Sequence, residues 1–127
     1  EFLGPWHEMI DYGLSTFVEE NSYWRSLFHA WSAPPALEFM TRVLGVTPAR
    51  PGFSEIVIEP HCCGLTHASG SVCTPRGPVR VAWRIEGDVF SLEAEAPAAT
   101  PVRVRLPGGT VKEFEGGKLA LAEKFAG

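Results

Sequence analysis

The chain has 127 residues, of which 45% are hydrophobic and 20% charged, with a formal net charge of −4. That is one ordinary domain's worth of chain, or parts of two small ones, and it carries enough apolar side chains for a buried core. An acidic balance without any basic run excludes the electrostatic footprint of a nucleic-acid binder, and no apolar run approaches the roughly 20 residues needed to span a bilayer.

Residues 1–12 (EFLGPWHEMIDY) read as a short helix. Pro5 suits a first helical position, and Trp6, Met9 and Ile10 recur at three-to-four spacing to make one apolar face. Gly13 stops it. Because the chain opens on Glu1 inside this helical pattern, an upstream part is expected. Residues 14–26 keep no sustained period and carry β-branched Thr16 and Val18, so an extended or irregular segment is expected, with Glu19 and Glu20 at the rim of a pocket.

The span 13–48 gathers the chemistry-bearing side chains: Glu19, Glu20 and His29 beside Tyr23, Trp24 and Trp31. Carboxylates and an imidazole among large flat rings suit a sugar, which offers hydroxyls at its edges and apolar C–H faces. The bland alternative is that Trp24 and Trp31 are core and that both glutamates are solvated. Further on, Ser32 is a good N-cap, with Pro34 and Pro35 in the first turn, where their absent N–H groups cost nothing. Leu37, Met40 and Leu44, flanked by Ala36, Phe39 and Val43, then predict an apolar stripe, with Glu38, Thr41 and Arg42 facing out. Gly45 is placed as the left-handed terminal residue, and Pro48 follows as a stop.

From Ala49 the period changes to alternation, punctuated by Pro and Gly. A domain boundary is expected here, dividing the chain into 1–47 and 48–127, with the proline-rich stretch 46–53 as a stiff linker. Strands are predicted at 55–59, 68–74, 79–86, 89–96, 102–106, 111–114 and 119–122. Val79, Val81, Trp83 and Ile85 share one face, and Arg80, Ala82 and Arg84 the other, so a single sheet face is buried. Trp83 therefore reads as core, and Arg80, Arg84, Arg103 and Arg105 as a solvated face with Glu93, Glu95 and Glu113 in reach. The turns 86–88 and 107–110 supply the glycines that hairpins need. Such a meander predicts a small antiparallel β-sandwich, giving an α+β chain overall.

Cys62, Cys63 and Cys73 cannot all pair, and adjacent Cys62 and Cys63 are poorly placed to pair with each other. With His61 and His67 they match no zinc spacing, so they read as small buried thiols, and no metal or other cofactor is expected.

Four phrases in order, GLSTFVE (13–19), SLFHAWSA (26–33), VLGVTPARPGF (43–53) and ASGSVCTPRGPVRVAW (68–83), resemble the C-terminal end of bacterial α-L-rhamnosidases. The resemblance implies an inverting glycoside hydrolase with a catalytic barrel of six helical hairpins and a following β-sandwich. Residues up to 47 would be the last hairpin of that α/α barrel. It also implies Glu19 as general base, with His29 hydrogen-bonding the sugar and Trp31 and Trp24 lining the subsite. The family's tryptophan before the acid is Val18 here, which leaves Glu20 open beside Glu19. The implied partners are a rhamnose-containing glycoside or polysaccharide and the upstream barrel of the same protein. The alternative is a non-catalytic carbohydrate-binding or structural sandwich, which would need an exposed aromatic platform on a sheet.

Overall fold

Alternation of apolar and polar side chains becomes two four-stranded sheets in the computed structural model, which describes residues 4–20 and 26–125. The chain divides into two units, Glu1–Leu37 and Glu38–Gly127. In the first, α1 (Gly4–Asp11) ends where Gly13 takes φ +70° and donates to the Ile10 carbonyl, while the Leu14 N–H reaches back to Met9. This pair of bonds satisfies carbonyls that a helix end leaves open. Met9 is buried and the Trp6 indole N–H donates to the Ser32 carbonyl at 2.7 Å. Ile10, expected on the same apolar face, is instead 70% exposed, because only about two turns form before the Gly13 stop.

The second unit holds the sandwich. One sheet runs in the order β1 (Val46–Pro48), β2 (Ile56–Ile58), β6 (Val102–Arg105) and β7 (Val111–Phe114). The other runs β3 (His67–Thr74), β4 (Gly77–Glu86), β5 (Val89–Ala96) and β8 (Gly117–Lys124). All pairings are antiparallel except β2 with β6, whose long connection runs through β3, β4 and β5 of the other sheet. A parallel pair needs such a crossover, since no short turn can return the chain in the same direction. Both sheets line one core: Ile56, Ile58, Val102 and Val104 from the first, Val79, Val81, Trp83, Phe90 and Leu92 from the second. The outward arginines pair as the alternation implied, Arg80 with Glu95 at 3.4 Å and Arg103 with Glu113 at 2.8 Å, while Arg84 pairs with Glu86 and Arg105 with Glu59.

Three local expectations are corrected. The stretch 46–53 is not wholly linker, since Val46, Thr47 and Pro48 pair with Ile58, Val57 and Ile56. Ser32 does not cap a helix: it lies in a 3₁₀ turn (Ala30–Ser32), and its hydroxyl donates to the His29 carbonyl at 2.8 Å. The helix itself, α2 (Pro34–Glu38), passes into a π turn (Phe39–Val43). The extra residue in that turn rotates the apolar stripe. Met40, Val43 and Leu44 thus pack on the sandwich core, while Leu37 and Phe39 are exposed.

The cysteines are also less buried than expected. Cys63 and Cys73 are exposed and Cys62 is half-buried. Cys63 takes φ +51° beside Gly64 at +79°, in a turn closed by the Leu65 N–H on the Cys62 carbonyl, and Cys73 lies on the face of β3 opposite inward Val72. Burial pushes the Cys62 thiol up, with the neighbouring Cys63 adding to the shift.

A carboxylate ties the two sheets together. Glu123 on β8 accepts the N–H groups of Gly108 and Thr110 (3.0 Å for Thr110) in the turn between β6 and β7. Burial alone would raise its pKa, but hydrogen bonds from Thr110 and Gly108 outweigh that and hold the carboxyl below the usual glutamate value. A depressed carboxylate stabilises the fold fully above the unfolded pKa of about 4.3 and loses that contribution as pH falls through the folded value. Glu123→Gln is therefore expected to cost about 1 kcal/mol at neutral pH, less than a buried charged bond because solvent screens this site. Urea unfolding at pH 7 and at pH 3 checks it: the difference between the two proteins should be smaller at the second.

Candidate functional site

The acid and the histidine singled out in the sequence lie on two segments that the backbone joins. Glu19 donates its N–H to the Ser26 carbonyl at 2.9 Å, and His29 donates its N–H to the Phe17 carbonyl at 2.7 Å. The Thr16 hydroxyl adds a bond to the Leu27 carbonyl. Residues 16–19 thus run beside 26–29, bringing together two segments whose acid and imidazole are ten positions apart. No periodicity announced this pairing, which is irregular and forms no strand.

Alternation along the first segment sorts its side chains. Val18 is 2% exposed, Glu19 half-buried and Glu20 exposed. Glu19 Oε2 accepts the Ser26 N–H at 3.4 Å, a long and therefore weak bond. Ser26 was not singled out from the sequence, although it opens the SLFHAWSA phrase. Its hydroxyl donates to the Phe28 carbonyl at 2.8 Å, which helps hold the second segment.

His29 is half-buried and extended (φ −136°, ψ 121°), and the chain then enters the 3₁₀ turn. Its ring meets Trp31 edge to face at 6.3 Å between centroids. Trp31 is 63% exposed, so it is not a core residue and presents an apolar ring to whatever approaches. An imidazole edge beside an open indole can hydrogen-bond one side of a sugar and cover its C–H face. Trp24 lies outside the described residues. Glu38 is exposed and pairs with Arg42 at 3.6 Å.

The sandwich offers a different surface. Two adjoining concavities of about 640 and 620 Å³ lie on the outward face of β3, β4, β5 and β8, sharing Ser69, Ala82, Glu93 and Ala120. Small side chains floor them. Trp83 and Phe90 turn inward and Phe114 is half-buried, so among the described residues no exposed aromatic stands on either sheet. Among the described residues neither sheet presents the aromatic platform that a carbohydrate-binding module would need. Among the described residues no three His, Cys, Asp or Glu side chains come together as metal ligands would, and no helix is long and apolar enough to cross a membrane.

A family profile described as the bacterial α-L-rhamnosidase C-terminal domain matches residues 45–120. The chain is 32% identical over 109 residues to an α-L-rhamnosidase of Alteromonas sp. strain LOR, covering 76% of this chain and 12% of that protein. It is 29% identical over 119 residues to an α-L-rhamnosidase of Formosa agariphila, covering 84% of this chain and 13% of the relative. Among solved structures, the Streptomyces avermitilis α-L-rhamnosidase complexed with L-rhamnose superposes with a TM-score of 0.81 at 23% identity, over 95% of this chain and 15% of that one. The chain thus spans about an eighth of the length of the relatives it matches.

Proposed function

The chain belongs to the family of bacterial α-L-rhamnosidase C-terminal domains, and from that premise we propose that it is the C-terminal part of a glycoside hydrolase removing terminal α-L-rhamnosyl residues with inversion. Residues 1–47 are proposed as the end of the catalytic α/α barrel and 48–127 as its β-sandwich. The observation that carries the site reading is the backbone pairing of 16–19 with 26–29, which sets the Glu19 segment beside the His29 segment. Glu19 acts as general base, His29 and Trp31 bind the sugar, and Trp24 completes the same subsite.

Inversion breaks the bond between the anomeric carbon and the glycosidic oxygen while water forms a new C–O bond on the opposite face. One carboxylic acid gives its proton to the leaving oxygen, and a carboxylate about 6.5 to 9.5 Å away takes a proton from the water. Glu19 and Glu20 cannot be this pair, because neighbours in an extended segment point to opposite sides. The acid comes from the upstream barrel, so this chain alone is expected to be silent. A need for that partner is supported by the exposed large side chains Ile10, Leu27, Phe28 and Leu37, more apolar surface than so short a segment usually leaves to water.

The full-length parent is expected to hydrolyse p-nitrophenyl α-L-rhamnoside. Proton NMR of the first-formed sugar checks the stereochemistry: the β anomer of L-rhamnose is expected before mutarotation. Release of the α anomer, or no hydrolysis at all, would overturn the proposal.

A further inference from the structure

The 3₁₀ turn that follows His29 is short of backbone donors. Its bonds run three residues back: the Ser32 N–H lies on the His29 carbonyl at 3.2 Å, the Ala33 N–H on the Ala30 carbonyl at 3.1 Å and the Ala36 N–H on the Ala33 carbonyl at 3.1 Å. The two missing members of the series are Pro34 and Pro35, which have no N–H. Trp31 is open to water, but Ser32 is 3% exposed. Of the two residues whose N–H would ordinarily reach the Ser32 carbonyl, Pro35 has no N–H and Ala36 gives its own to Ala33. A carbonyl shut away from water must still be paired.

The indole N–H of Trp6 supplies that pairing from α1, at 2.7 Å and 26 positions away in sequence. Ser32 passes the hold on to the histidine, since its N–H and its hydroxyl, the latter at 2.8 Å, both donate to the His29 carbonyl. On its other side the His29 N–H donates to the Phe17 carbonyl at 2.7 Å, in the segment that carries Glu19. The main chain of His29 is therefore fixed twice, once to the acid's segment and once to α1. All of these residues lie within the unit Glu1–Leu37. Apolar spacing placed Trp6 on one face with Met9 and Ile10, and no periodicity announced the task of its N–H.

We infer that Trp6, through the Ser32 carbonyl, is a positioning residue that fixes the turn presenting His29 and Trp31. The inference rests on the reading of that turn as the sugar-binding part of the parent enzyme, and adds to it a residue that acts through Ser32 and His29. Removal of the indole donor leaves the Ser32 carbonyl buried and unpaired, so the turn is expected to open toward water. A misplacement of about 1 Å in a substrate-positioning element is enough to change binding or rate severalfold or more.

The test uses the full-length parent with Trp6→Phe, which keeps a flat apolar ring and removes the donor. KM for p-nitrophenyl α-L-rhamnoside is expected to rise about fivefold with kcat changed less than about twofold. Hydrogen exchange gives a second readout, independent of activity. The amides of Ser32 and Ala33, whose bonds close the turn, should exchange about tenfold faster in Trp6→Phe. Pro35→Ala, added to Trp6→Phe, returns an N–H at the position from which the same series would reach the Ser32 carbonyl. The double variant is expected to recover KM and exchange to within about twofold of wild type, a rescue that a lost packing contact would not show.

If Trp6→Phe does not fold, a tryptophan isostere carrying sulfur in place of the indole N–H takes its place at position 6 in both measurements. Wild-type KM and exchange in the donor-deleted protein overturn the inference, as does a change that Pro35→Ala leaves uncorrected. Glu19→Gln run in parallel separates the two proposals. Its loss of activity beside an unperturbed Trp6→Phe defeats the positioning role alone. Full activity in Glu19→Gln defeats the site reading, and exchange with its rescue by Pro35→Ala then decides whether Trp6 holds the turn.

Discussion

Gly45→Ala is expected to cost the sandwich about 2 to 5 kcal/mol. Two effects add. Gly45 sits at φ +76°, where an L side chain costs about 1 to 2 kcal/mol. Its Cβ would also lie 2.2 Å from the Glu59 carbonyl carbon and 2.4 Å from the Pro60 nitrogen. Both are backbone atoms, so no rotamer change relieves the clash, and overpacking of this kind costs about 1 to 3 kcal/mol more. Separation of the chains would weaken the Glu59 N–H bond to the Gly45 carbonyl and, with it, the start of β1 against β2. Gly52 provides the comparison: it has φ +67° with nothing within 4 Å of its Cβ position. Gly52→Ala should therefore lose only the backbone part, about 1 kcal/mol. Urea midpoints of the two variants decide the matter. An equal loss in both would mean that the close approach at Gly45 carries no energy.

Much of the sandwich is legible in the sequence because alternation is a strong signal when one sheet face is buried. Val79, Val81 and Trp83 point inward as their spacing requires, and β5 and β7 begin and end where the pattern does. What escaped has a common cause. β1 is three residues long and ends in a proline, too short to show a period, and it exists because β2 offers it a partner. The π turn is closed locally by the Leu44 N–H on the Phe39 carbonyl, but the carbonyls of Arg42 and Val43 at its end accept from His61 and Trp83, some 20 and 40 positions away, and no local propensity could announce those bonds. The apolar stripe from Leu37 to Leu44 fails at Leu37 for the same reason, since tertiary capture rotates one half of it.

The candidate site divides in the same way. Its residue types were readable, and the exposed Trp31 against the inward Trp83 separates a surface ring from a core ring. The pairing of 16–19 with 26–29 was not, because irregular backbone bonds between two aperiodic segments leave no trace in composition. Nor did the sequence distinguish Glu19 from Glu20. The structure describes them differently: Glu19 is half-buried and bonded to Ser26, while Glu20 is exposed.

The second large effect concerns that choice. Glu19→Gln keeps the shape of the side chain but replaces a carboxylate that can accept the proton of the attacking water with an amide that cannot. Loss of a general base costs about two to four orders of magnitude in kcat. Glu20→Gln, at an exposed neighbour pointing the other way, should change kcat by less than about twofold, in keeping with the small effects of most surface substitutions. The measurement that most directly tests the account is kcat for p-nitrophenyl α-L-rhamnoside with the full-length parent, wild type beside these two variants. The account predicts a fall of about a thousandfold in Glu19→Gln alone. Sensitivity at Glu20 instead would move the base by one position, and wild-type rates in both variants would contradict the assignment of this segment to the catalytic site.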